Sequence, residues 1–167
     1  GMIVVGLPVL ATVVAGVALA PPAAAADTIS FRASAQAAAN QITHRVTIPT
    51  SVRETDGLLL FVTSNKALAS VTATPAGWTQ VGTRLSSTDT ETILYTKVAA
   101  ANDAGRSQAV DFTATTKASL TLLAYDGTKV TGANGPIAAF ASAAETTNRA
   151  THTTPTAPVD DAGSWVV

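Results

Sequence analysis

The sequence predicts an all-β fold, an antiparallel β-sandwich of jelly-roll-like order or, alternatively, an immunoglobulin-like sandwich. Three observations predict it. Beyond residue 27, apolar and polar residues alternate with period two, and Gly, Pro, Asn and Asp recur at short intervals. The Ala runs 37–39 and 99–101 favour helix but are too short to nucleate one, and Asn, Asp or Gly flank them. About eight or nine short strands with such spacing make a sandwich or a barrel.

The elements follow in order. Residues 3–26 carry no charge and run through a Val/Leu/Ala-rich stretch to Pro21-Pro22 and Ala23–Ala26. That is an apolar export segment, a Pro break and a small-residue cleavage site. Ala24 and Ala26 suit the shallow pockets of signal peptidase, so cleavage is expected before Asp27. The basic start of such a signal is missing and Gly1 precedes Met2, so the true N-terminus is expected upstream. A retained membrane anchor is the alternative, weakened by Gly6, Pro8 and Gly16. The expected domains are a signal peptide, residues 1–26, and a β-sandwich, residues 27–167. Contact with a membrane is expected only through the N-terminal segment before cleavage, which places the rest outside the cell, secreted or at its surface.

Ile29, Phe31 and Ala33 share one strand face, and Ile42, His44, Val46 and Ile48 share another. Residues 57–62 are apolar on both sides, as in a central strand. Residues 78–85 and 91–98 form a pair around the polar turn 86–89. Residues 110–114 and 118–125 are further strands, 137–144 a weaker one, and 164–167 the start of another. A weak repeat joins Pro49–Gly57 to Pro155–Gly163, each an acidic turn leading into a strand. If the two are equivalent, Val167 lies inside a strand and the last strand or strands are missing.

Composition removes several functions. The 167 residues carry 10 Lys+Arg against 11 Asp+Glu and no Cys. A near-neutral chain cannot neutralise many phosphates, so no nucleic-acid partner is expected. Without Cys there is no disulfide scaffold, thiol chemistry or cysteine zinc site. A 47% hydrophobic content excludes an acidic disordered chain. Phosphate-binding, nucleophile-elbow and zinc-protease motifs are absent, and no cofactor or metal is expected.

The chemistry-bearing residues have plain structural readings. His44 and His152 are too far apart in sequence to suggest a metal pair. Glu91, Asp111, Asp126, Glu145, Asp160 and Asp161 are the carboxylates from which a hydrolytic pair would be drawn, but most sit in turns or on solvated faces. Asp89 and Glu91 at a hairpin tip are a weak calcium candidate. Trp165 reads as core. Alternation places Trp78 on one face with Arg84, and Tyr95 on a neighbouring strand. These three are the candidate ligand-binding residues, because flat aromatic rings stack on sugar C–H faces. The competing reading is that Trp78 caps the core.

Thr74-Pro75-Ala76-Gly77-Trp78-Thr79-Gln80-Val81-Gly82, Tyr95-Thr96-Lys97-Val98-Ala99 and Leu122-Leu123-Ala124-Tyr125-Asp126-Gly127 together resemble the PAGWT…VG, YxKVA and LLAYxG elements of a bacterial secreted β-sandwich accessory module. The resemblance spans residues 28–167. It implies a fold and a setting within larger secreted or phage-related proteins, beside further domains of the same polypeptide, and it implies no catalytic residues. The family pattern continues for one or two more strands, where this chain stops. The expected function is a non-catalytic exported module, not an enzyme, that is structural, adhesive or carbohydrate-contacting, with a polysaccharide or cell-surface glycan as partner. The alternatives are a small secreted hydrolase using a carboxylate pair and a phage or virion-type structural sandwich.

Overall fold

A computed structural model describes residues 28–66, 71–86, 89–129, 135–145, 147, 149–159 and 163–167. Its elements are β1 (Ser30–Thr47), β2 (Gly57–Ser64), β3 (Thr79–Ser86), β4 (Glu91–Val98) and β5 (Ser107–Asp126). The fold is all-β. The strands form one five-stranded sheet in the order β1-β5-β2-β4-β3, with every neighbouring pair antiparallel. Among the described residues there is no second sheet. The cleavage residues Ala24, Ala26 and Asp27 lie outside the described residues, as do Asp160 and Asp161.

The alternation sorts β2, β4 and the second half of β5 into two faces. Leu58, Leu60, Val62, Ile93, Tyr95, Leu120, Leu122 and Ala124 point into the main core. A fully buried Leu of this kind contributes about 1.5–3 kcal/mol of transfer free energy. Leu59, Leu94, Val81 and Tyr125 occupy the opposite face, with Phe61 and Leu123 packed against them.

Two segments that read as separate strands on each side of an Ala or Thr stretch are single long strands. β1 absorbs the Ala37-Ala38-Ala39 run because these small side chains sit opposite Leu120, Ser119 and Ala118 on β5. A large bulge divides the pair. Gln41 pairs with Thr116 and Thr43 with Asp111, so Ile42 alone stands opposite residues 112–115. His44 is buried at this bend. Its Nε2 lies 3.1 Å from both Gln41 O and Thr116 O. Both oxygens only accept, so Nε2 carries the proton and donates to them. The His44 ring also meets Phe112 edge-on at 5.0 Å.

Beyond the bend, residues 43–47 and 107–111 continue as a two-stranded ribbon across the sheet. Trp78, just before the edge strand β3, donates its indole N–H to Gln108 Oε1 at 2.7 Å. That bond joins the ribbon to the far edge. Val46 and Val110 of the ribbon, with Ile48 and Phe112 just beyond its ends, therefore share one core with the sheet's main face. The ribbon does for that face what a second sheet does in a sandwich.

The turns explain the glycine-bearing motifs. Trp78 N–H donates to Pro75 O at 3.1 Å, and Gly77 at φ +80° is the third residue of that turn. Arg106 N–H donates to Asp103 O at 3.0 Å, with Gly105 at φ +75° in the same place. Both match a type II turn, which needs positive φ at its third residue. The C-terminal part differs from expectation. Residues 137–144 and 164–167 are not strands. Ile137 packs on the second face, and the Phe140 ring lies where a Cβ on Gly82 would stand. Trp165 is 50% exposed instead of core, its ring 6.1 Å from Tyr125 and edge-on to it.

Candidate functional site

Trp78, Arg84 and Tyr95 do not make an open aromatic platform. Trp78 is 6% exposed and Tyr95 0% exposed, both within the main core. Alternation sets Trp78, Arg84 and Tyr95 on one side of the sheet, as expected, but that side is the main core and not an open face. The pairing of β3 with β4 slips between Val81 and Leu85, and Gly82 has φ +62°. The slip sets four residues of β3 against two of β4, so it keeps the parity, and Val81 and Leu85 stay on the side opposite Trp78. Arg84 turns inward, 3.4 Å from the buried Glu91 carboxylate and 3.4 Å from Val71 O. Tyr95 Oη is buried and has no hydrogen-bond partner among the described residues. Burial is the main cause that raises the Tyr95 phenol above its ordinary value; the Arg84 charge opposes it and the Glu91 charge adds to it.

The other carboxylates hold the structure together. Asp56 is buried, accepts the Arg53 N–H at 2.8 Å and meets Arg32 Nε at 2.5 Å. Arg32 also reaches Asp126 at 2.8 Å. The hydrogen bond to Asp56 leads the causes that hold the Arg32 guanidinium above its usual value. Asp103 accepts the Lys97 ammonium at 2.7 Å and the Ala100 N–H at 2.7 Å. Burial opposes the charge on Asp103, yet those two hydrogen bonds and the Lys97 and Arg106 charges together hold its carboxyl below the ordinary range. Asp111 accepts the Thr43 hydroxyl, and Glu145 pairs with Arg149. His152 and Glu145 line a small cleft of about 250 Å³ in the C-terminal coil. Among the described residues no three metal-ligating side chains come together.

The open surface lies on the second face, away from its apolar end. There Asn40 of β1, Lys117 and Ser119 of β5, Thr63 and Asn65 at the end of β2, and Thr90 before β4 line a shallow trough of about 570 Å³. Sheet register brings them together. Asn40 pairs with Lys117, Ala38 with Ser119, and Ser119 with Thr63. Thr63 also lies beside Thr92, their hydroxyl oxygens 3.3 Å apart. Asn65 and Lys117 fix the floor's end: Asn65 N–H donates to Lys117 O at 3.0 Å, and Lys117 N–H donates to Asn65 Oδ1 at 3.1 Å. Phe61 is on the same face, two residues along β2, and is partly exposed. The trough thus offers hydroxyls, amides and one ammonium on a rigid sheet, with a ring beside them.

No feature of the isolated sequence marks these residues. Each is an ordinary polar member of an alternating strand, and they converge only through the strand order. No family model matches the chain, and comparisons with curated proteins and with solved structures also find no match.

Proposed function

We propose that this chain is a non-catalytic, exported β-module that serves a secreted or cell-surface protein as an adhesive, carbohydrate-contacting accessory domain. The trough on the second face is the contact surface in this proposal, and its chemistry carries the reading. Hydroxyl and amide side chains exchange hydrogen bonds with a polyhydroxylated chain without needing charge complementarity. The shallow, extended shape suits a polymer lying along the sheet more than a small ligand, which favours an enclosed pocket. Phe61 adds an apolar surface for sugar C–H groups. The near-neutral balance of 10 basic and 11 acidic residues fits a neutral glycan. Export rests on residues 3–26 as a signal segment. A complete two-layer sandwich is part of the same proposal, with a second layer resting on the apolar end around Leu59, Leu94 and Tyr125.

The test is retention of the full chain on a panel of neutral polysaccharides, in affinity gels and in pull-down with insoluble polymers. The wild type is compared with an Asn40→Ala/Lys117→Ala double variant. Both side chains are exposed, so the sheet is expected to stay intact. Retention by at least one polymer that the double variant loses supports the reading. A wild type retained by none, or a double variant retained equally well, overturns it.

A further inference from the structure

The two edges of the sheet are built differently. β3 is an edge of 8 residues, broken by the Val81/Leu85 slip and carrying Arg84. Such bulges and charges keep an edge from pairing further. β1 is an edge of 18 residues. Between its two irregularities, at Phe31/Ala33 and Gln41/Thr43, it runs regularly from Ala33 to Gln41. That run has no charged residue, no Gly and no Pro. At about 3.4 Å per residue it presents roughly 30 Å of backbone whose outward N–H and C=O groups have no strand beside them among the described residues.

We infer that the Ala33–Gln41 edge pairs with the same edge of a second copy of this chain, antiparallel about a two-fold axis at Ala37. The sequence of the run suits itself. About that axis Ser34 faces the partner subunit's Asn40, Gln36 faces the partner subunit's Ala38, and Ala35 faces the partner subunit's Ala39. No like charges meet, and hydroxyl meets amide. On the core side Ala35 and Ala37 are only partly buried against the main core, so a strand added there completes their burial. The contrast between the edges selects closure. A head-to-tail β1-to-β3 contact would propagate into a filament, and the irregular β3 edge opposes it; a two-fold β1 pair closes at two copies. The product is one continuous ten-stranded sheet, with Ala38 and Asn40 of each trough beside the junction. This inference stands on the edge geometry and does not require that the trough bind a glycan.

Sedimentation equilibrium and amide hydrogen exchange on the full chain test it across a concentration series. The wild type is expected to dimerise, with slowed exchange in residues 33–41 that increases with concentration. Gln36→Lys combined with Ala38→Lys places ammonium groups opposite one another and is expected to weaken the dimer at least about tenfold. Both positions are exposed, and circular dichroism at low concentration checks that the variant keeps its sheet. Gln36→Lys combined with Ala38→Glu sets opposite charges across the same axis and is expected to restore the dimer. A wild type that stays monomeric overturns the inference. So does slow exchange at 33–41 in a monomer, which would mean that the chain's own residues cover the edge. Association that the Lys pair leaves intact, or that the Lys/Glu pair fails to restore, overturns it equally.

Discussion

Replacing Tyr95 by Phe isolates one buried oxygen. The ring is 0% exposed among Leu58, Leu60, Ile93 and Leu122, and its hydroxyl has no hydrogen-bond partner among the described residues. A buried polar group left unpaired costs about 1–3 kcal/mol. Phe keeps the ring and its packing, so Tyr95→Phe is expected to stabilise the fold by about 1–2 kcal/mol. For a domain of this size that raises Tm by roughly 3–7 °C. Thermal and urea unfolding at pH 7 measure it, with an unchanged m value showing that the unfolded state is not the cause. The pH dependence gives a second readout. Burial, the leading cause, raises the folded-state phenol above its unfolded value of about 10. Stability from the neutral phenol is therefore complete below about pH 10 and lost as pH rises through the folded value. Tyr95→Phe removes that part of the alkaline loss, while Tyr125, also raised by burial, keeps its own. A destabilisation of about 1 kcal/mol or more would show that the hydroxyl has a partner, and an alkaline limb identical to wild type would show that burial does not raise its titration; either result refutes the reasoning.

Three further outcomes are expected. His44→Leu removes the donor shared by Gln41 O and Thr116 O and is expected to cost about 2–3 kcal/mol, read as a lower urea midpoint. Thr55 holds φ 74°, which suits Asn far better than a β-branched residue. Thr55→Asn should therefore raise stability by about 1 kcal/mol, and a fall in Tm would contradict the strain. Asp103→Asn loses the charge-assisted bond to Lys97 and is expected to cost about 1–3 kcal/mol at pH 7. Because the folded-state carboxyl is held low, this contribution is complete above about pH 4 and fades as pH falls through the folded value. The gap between variant and wild type should close in acid; a gap constant down to pH 2 would assign the loss to packing.

Period two is informative wherever a strand is regular. Leu58, Leu60 and Val62 on one side of β2, with Leu59 and Phe61 on the other, follow directly from the run of apolar residues at 57–62. The β3–β4 pair is legible for the same reason, since the two strands are neighbours in sequence around one short turn. The alternation stops being readable at bulges. Alternation groups Trp78 with Arg84 on one side but does not show that this side is buried, and residues 112–115 hide the continuity of β5. The burial of Trp78 also depends on Gln108, thirty residues away, accepting its indole proton. Nothing in the local pattern around either residue encodes that meeting.

The trough and the open edge share this limit. Asn40, Thr63, Lys117 and Ser119 are each the polar half of an alternating pair, and alone each reads as solvated surface. Placing β5 between β1 and β2 turns four unremarkable positions into neighbours. The same order leaves β1 at the margin, where its charge-free run Ala33–Gln41 has no strand beside it among the described residues. Had β1 been central, Ala33–Gln41 would be a weakly packed strand between larger ones. At the margin its small side chains instead let a second backbone approach closely along the full run. What distinguishes this chain is thus set by strand order, a non-local property that period two cannot carry, and it appears once register is known.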